Sequence, residues 1–409
     1  MKKKTSIYVD SSRVYRFLLV MLLTGLAHGL YRGVQDNYLA EIVGINEFER
    51  GIVEFFRELP GLLLIFILAA MYRFSETKVF KIGTAITLTG TLGLLVFSTG
   101  KIVVILFMVI YSLGEHIVLL VKSTMSLNLA RSGKSGASLG VSQAINHGGN
   151  IIGFLLVTAL FIIYPRLGIS ANTAGGFKRI FFLATVLLFG ATLVVLAMKD
   201  KGEPVRRSRL YFARKFNKYY GLEIFYGARK QVFLTFAPYV LILYYGASTS
   251  LISFLLAICA IFGMLLSPVI GRLIDTLGYK FIMVGDTLLL IIVCFFYGFS
   301  HRLFSFEIAF IVVCVNFVLD SIISMASMAS SVYVQDIASD QEEITATLTT
   351  GISVNHLISV IIALLGGLIW QRTGIEVLFT LAALLGLANT LFALTIRVPE
   401  QSKYRISKG

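Results

Sequence analysis

The sequence predicts an all-α integral membrane protein with twelve transmembrane helices in two pseudo-symmetric six-helix bundles. Composition, spanning-length apolar runs and a lopsided distribution of basic residues carry that prediction. The chain is 57% hydrophobic and 14% charged, with a mean hydropathy of +0.84. Soluble domains carry about 25% charged residues, so water cannot be the solvent of most of this surface.

Windows of about 20 apolar residues place spans at 14–42, 50–72, 79–99, 102–130, 137–163, 178–198, 219–246, 249–271, 279–299, 304–333, 344–371 and 374–397. The runs are continuous rather than alternating, which is the pattern of spanning helices and not of barrel strands. The 36 glycines against six prolines suit helices packed closely through small residues. Residues Met1 to Ser6 are Lys-rich, but the apolar run after them is too long for a signal-peptide core, so it is expected to stay as the first helix. The most polar linker, 199–218, holds eight basic residues and separates an N-terminal bundle, 1–198, from a C-terminal one, 219–409. It is expected to lie along the cytoplasmic face. Cys259, Cys294 and Cys314 all fall inside apolar runs, spaced for neither disulfides nor a metal, and read as small apolar fillers.

With both termini inside, the inner segments hold 24 Lys and Arg and the outer loops seven. This positive-inside asymmetry orients the chain in a cytoplasmic (inner) membrane. It also accounts for most of the net charge of +14, so a nucleic-acid partner is not needed to explain it. The expected partners are the bilayer and a small-molecule substrate, with the chain a monomer.

The halves echo one another. Gly25-Leu26 and Gln35 of the first span match Gly221-Leu222 and Gln231 of the seventh at a constant offset of 196. In the fifth span 140-GVSQAINH-147 resembles 349-TTGISVNH-356 of the eleventh, so Asn146-His147 corresponds to Asn355-His356. A duplicated six-helix unit with a midplane site between its halves is a transporter architecture.

The loop 271-GRLIDTLGYK-280 resembles the motif G-x-L-x-D-x-x-G-x-K of the major facilitator superfamily, through Gly271, Asp275, Gly278 and Lys280. The resemblance implies a cytoplasmic latch between neighbouring helices during alternating access. The corresponding first-half loop, 69-AAMYRFSETK-78, departs from the motif, with Arg73 where the acid would fall and Ser75-Glu76 around the expected glycine.

Five basic residues remain inside spans: Arg32, Arg57, Lys122, Arg229 and Lys230. A cation at bilayer depth is costly unless it faces a watered, protein-lined cavity, so each is a candidate functional group. Arg32 and Asp36 lie one helical turn apart and can pair. They form either a structural ion pair or a substrate-binding base with a tuning, proton-accepting acid. Arg229 and Lys230 point about 100° apart. Arg229 is expected in the cavity, because its fork suits bidentate capture of carboxylate or phosphate. The substrate-binding candidates are Arg32, Gln35, Asp36, Asn146, His147, Arg229, Lys230, Gln231, Asn355 and His356. Interhelical hydrogen bonding is the competing role for the asparagines, with Gly140, Gly148, Gly149 and Gly153 allowing close packing.

Asp36, Glu115, Glu223 and Asp320 are the proton-coupling candidates, since a buried carboxyl can alternate between charged and neutral forms. The same acids could instead balance nearby bases. Glu54, Arg57 and Glu58 cluster near the outer end of the second span as an expected gate network. Lys122 suits an inner gate, and Gly271, Asp275, Gly278 and Lys280 are the conformational motif.

The chain contains no P-loop sequence, no nucleophile elbow and no metal-ligand spacing, so no cofactor, no metal and no enzymatic activity are expected. The layout of bases on spans one and seven with a histidine on span five is similar to that of the organophosphate/phosphate antiporters. The expected function is secondary active transport of a small organic solute, read first as an anion, by alternating access with coupling to protons or to an exchanged anion. A proton-coupled exporter of lipophilic or cationic compounds is the alternative, and a non-transporting membrane sensor a third.

Overall fold

The computed structural model describes residues 7–8, 11–71, 73–97, 99–200 and 210–398. The chain outside these ranges includes the Lys-rich start, most of the basic stretch of the expected linker and the basic C-terminal end.

Twelve helical spans are present among the described residues. They are α1 (Ser11–Asn37, continued by a π-helical turn Tyr38–Ile42), α2 (Glu47–Ala70), α3 (Glu76–Val96), α4 (Lys101–Leu129), α5 (Ser135–Arg166) and α6 (Ala174–Leu196), then α7 (Asn217–Tyr245), α8 (Thr249–Leu277) and α9 (Tyr279–Leu303). The tenth, α10, runs Phe306–Ser324 and Met328–Ile337 through a 3-10 turn at Met325–Ser327. The last two are α11 (Gln341–Thr373) and α12 (Ile375–Leu394).

Ten of them are long and apolar enough to cross a membrane; α2 and α7 are the exceptions. Both are long enough, and both are too polar. They carry two of the charge clusters described below, so the sequence expectation of twelve uniformly apolar runs gives way to ten apolar helices and two polar ones.

Helix ends follow local chemistry. The Ser75 hydroxyl accepts from Lys78 N at 3.2 Å, and Thr173 Oγ1 from Gly176 N at 3.3 Å. Asp340 accepts from Glu343 N at 2.8 Å. Each satisfies one of the donors that a helix start leaves without an intrahelical partner. The Thr173 cap starts α6 four residues before the apolar pattern does.

The described residues form two compact units. One comprises residues 1–44, 66–207 and 248–260, and the other 45–65, 208–247 and 261–409. These do not follow chain order strictly, since α2 up to Ile65 groups with the second unit and the start of α8 with the first. In the first unit α1 packs on α5 and α6, and α3 on α4 and α6. In the second, α7 packs on α11 and α12, and α9 on α10 and α12. The pairing repeats at an offset of six helices, which is what a duplicated unit produces.

The α1–α5 contact is made by small residues. A Cβ at Gly25 or Gly29 would strike the backbone carbonyl of Asn146 or Asn150. One at Gly149 or Gly153 would come within 2.8 Å of Leu22 O or 2.6 Å of Leu26 O. Gly140 and Gly148, expected from the sequence to join this packing, face open space. Large apolar side chains such as Ile102, Leu265, Phe281, Ile311 and Leu391 are exposed on the helices, which suits a hydrocarbon solvent.

The described end of the linker is tied to α11. Tyr211 donates through its hydroxyl to Glu343 Oε1 at 2.8 Å, and Lys215 Nζ reaches Glu343 Oε2 at 2.6 Å. The bond to Glu343 pushes the half-buried Tyr211 phenol above its ordinary range.

Candidate functional site

In the first unit the polar groups gather where α1, α4 and α5 meet. Lys122 on α4 donates to Asn146 Oδ1 on α5 at 3.3 Å, and Asn146 Nδ2 donates to Met21 O on α1 at 2.9 Å. Asn146 therefore both closes the α1–α5 crossing and holds the lysine. Two turns further along α1, His28 Nδ1 meets Glu115 Oε1 and lies 3.1 Å from the Tyr111 hydroxyl. The Tyr31 and Tyr111 rings stack against each other with centroids 4.0 Å apart. His147, the expected substrate-contacting imidazole, is exposed.

Arg32 departs from the sequence expectation of an ion pair with Asp36. Its guanidinium donates to Gln35 Oε1 at 2.9 Å, and the Asp36 side chain is buried. Arg32 is half-buried and makes no ion pair among the described residues. From Gly25, where Asn146 crosses, to Arg32 is seven residues, a rise of about 10 Å along the helix.

In the second unit α7 supplies the expected bases, in reversed roles. Arg229 is not held open for a ligand: its two terminal nitrogens donate to Asp286 Oδ2 on α9 at 3.0 Å and Asp320 Oδ1 on α10 at 3.1 Å. Both terminal nitrogens are thus engaged with carboxyl groups. Lys230, the neighbour one helical step round, is exposed. Gln231 is fully buried and donates to Thr235 Oγ1 at 2.6 Å within its own helix. Glu223, the expected proton carrier, accepts from Ser330 Oγ at 3.1 Å and from Asn355 Nδ2 at 3.2 Å. Asn355 is thus a helix-joining hydrogen bonder, like its counterpart Asn146.

The acid–base cluster of α2 also lies in the second unit. Glu54 accepts from Arg50 at 2.8 Å and from the Arg57 Nε at 3.0 Å. Arg57 also donates to Glu58 at 2.7 Å, and Glu58 meets His356 Nδ1 on α11 at 2.8 Å. Arg50, at the very start of the expected second span, is fully buried and stacks over the Tyr239 ring at 5.3 Å. His356 belongs to this network, and not to the free binding surface that its pairing with His147 suggested.

Of the motif residues, Gly278 has φ +84° and joins α8 directly to α9. Lys280 Nζ donates to Leu394 O at 2.7 Å and Ile396 O at 2.9 Å, at the end of α12. Asp275 is exposed, and a Cβ at Gly271 would meet open space.

Sequence reasoning missed His28, Tyr111, Arg50 and Asp286. The rule that an intramembrane charge marks a site would have found Asp286, the one acid in the run 279–299. His28 and Tyr111 are not among the Lys, Arg, Asp and Glu residues that the rule counts, so they leave no such trace.

A fold of twelve helices in two units with repeated pairing, buried ion clusters and apolar exteriors defines a multi-pass membrane protein of the transporter class. The second half, residues 220–409, matches the family model described as Major Facilitator Superfamily. No curated protein sequence matches the chain. Among solved structures, a D-xylose-proton symporter is similar at 15% identity and a TM-score of 0.74, covering 95% of this chain and 98% of that one. The nucleoside transporter NupG is similar at 13% identity and a TM-score of 0.71, covering 95% of this chain and 100% of that one. A bacterial homologue of the iron transporter ferroportin in an inward-facing state gives 16% identity and a TM-score of 0.71, covering 94% and 99%. The second half of the chain is thus similar in sequence to the major facilitator superfamily, and the fold along its whole length is similar to those of the solved transporters.

Proposed function

We propose that the protein is a secondary transporter that moves a small organic anion, a carboxylate or phosphate ester, across the cytoplasmic membrane by alternating access. The observation that carries the choice of solute is the pairing of the bases. Among the described residues, Arg32 and Lys122 are hydrogen-bonded only to the neutral amides of Gln35 and Asn146. Both therefore keep their positive charge available in one unit, while Arg229 has spent its charge on two acids. Arg32 suits planar, bidentate recognition and Lys122 acts as a point charge. Glu115, within electrostatic reach of Lys122, limits the net charge of this surface and favours a solute with further polar groups over a bare inorganic ion.

The second reading, a proton-coupled exporter of cationic compounds, draws support from the Glu115 carboxylate beside the Tyr31 and Tyr111 rings, an arrangement that attracts cations. Counterflow in proteoliposomes, run against phosphorylated, carboxylated, neutral and cationic solutes, decides between them. Anion counterflow lost in both Arg32→Ala and Lys122→Ala is the expected result. Anion counterflow that survives both substitutions, or counterflow of cations alone, sinks the anion reading.

A further inference from the structure

Arg229, Asp286 and Asp320 form a buried group with unequal charge, one guanidinium against two carboxyls. Arg229 and Asp286 are 8% and 5% exposed, so neither meets bulk water. Asp286 is aimed into the group through Oδ2, which accepts from Arg229. Its other oxygen, Oδ1, is buried and has no hydrogen-bond partner among the described residues. A carboxylate oxygen left bare in a low-dielectric interior is expensive, and so is a net negative charge there. No further cation is on hand. Lys230 acts electrostatically on Glu58 and Glu223. The other titratable groups in reach are Tyr226 on α7, beside Asp286, and Cys294 on α9, beside Asp320. Both are neutral acids that can only add negative charge. Glu376 is the one ionisable side chain of α12, and it is engaged with Arg302 near the opposite end of α9.

We infer that the Asp286–Asp320 pair holds one proton, with Asp286 Oδ1 as its seat, so that the buried group is neutral and constitutes a proton-binding site on α9. The proton comes from water and forms an O–H bond at Oδ1, and its release leaves the carboxylate. The Asp320 side chain, 14% exposed against 3% for Asp286, is the more accessible carboxyl and the point at which the proton is exchanged. The use of this proton to drive transport rests on the carrier reading above; its presence does not.

Infrared difference spectroscopy of the purified protein at neutral pH, in potassium buffer and without added solute, tests the site. The wild type should show the carbonyl stretch of a protonated carboxyl, shifted in heavy water. Asp286→Asn should lose that band. Asp320→Asn should lose it as well, because it leaves Arg229 and Asp286 as a balanced pair. Each single variant should melt close to the wild type, whereas Asp286→Asn with Asp320→Asn strands the guanidinium and should melt lower. A band unchanged in both single variants overturns the inference, as does its absence from the wild type. Replacement of potassium by sodium that removes the band and raises the melting temperature would assign the site to a metal cation instead. Failure of both single variants to fold would also count against the proton, since each should be charge-balanced. The spectra need no solute, so a failed counterflow screen leaves them standing, and an absent band leaves the carrier reading standing.

Discussion

Glu58 on α2 and His356 on α11 meet at 2.8 Å, both buried, 298 residues apart in the chain. The contact joins α11 to the ion network in which Arg57 bridges Glu54 and Glu58 and Arg50 closes the far end on Glu54. Glu58 lends this network a buried carboxylate, and His356 joins it through a single hydrogen bond. Removing one charge from a buried pair costs about 3–5 kcal/mol. Removing a buried hydrogen-bond partner costs about 1–3 kcal/mol. Glu58→Gln should therefore lower the melting temperature of the detergent-solubilised protein more than His356→Gln does. Equal losses would mean that the His356 contact contributes as much to stability as the Glu58 charge does.

The α1–α5 crossing should be intolerant of single methyl groups at particular glycines. Gly149→Ala places a carbon 2.8 Å from Leu22 O, whereas Gly148→Ala, one residue earlier, meets open space. Overpacking costs about 1–3 kcal/mol, and Gly to Ala in an unobstructed helix gains about 0.5–1 kcal/mol. Thermal melting of the two variants should fall on opposite sides of the wild type. Matching melts would show that the crossing can relax by the required few tenths of an ångström.

The same pair of glycines shows what the sequence made legible. Spans, their number and the duplication could all be read, because apolar length and repeated dipeptides are local signals. Which face of α5 meets α1 could not, since Gly148 and Gly149 are identical in sequence and differ only in the direction imposed by packing. The site behaves likewise. Arg32, Arg229, Glu115 and Glu223 stood out as charges in apolar runs, yet their partners did not. Whether Arg32 would bond to Asp36 or Gln35 depends on a side-chain rotation, and the capture of Arg229 by Asp286 and Asp320 depends on three helices meeting.

Within the loop motif, the two glycines should respond oppositely to alanine. Gly278 sits at φ +84° and ψ 146°, a conformation used essentially by glycine where a side chain costs about 1–3 kcal/mol, and it sets the direct turn from α8 to α9. Gly271 lies inside α8 with no neighbour near a Cβ. Gly278→Ala should lower the melting temperature and Gly271→Ala raise it slightly. Lys280→Met should add a loss of about 0.3–1 kcal/mol by uncapping the Leu394 and Ile396 carbonyls at the end of α12. A Gly278→Ala protein as stable as the wild type would contradict this backbone account.

Arg32 and Arg229, two arginines in corresponding spans, should separate function from folding. Arg32 is half-buried and donates to a neutral amide, so Arg32→Met should cost about 0.5–1.5 kcal/mol of stability and abolish solute counterflow. Arg229→Met leaves Asp286 and Asp320 facing each other without their cation and should cost about 3–5 kcal/mol. Lysine cannot replace it fully, because two terminal nitrogens span the gap between α9 and α10 and one ammonium does not. Adding Asp286→Asn and Asp320→Asn to Arg229→Met removes the stranded charges and should restore much of the stability. Melting curves of the single and triple variants read this directly. A triple variant no more stable than Arg229→Met would mean that packing of the arginine stem, and not charge balance, holds the three helices together.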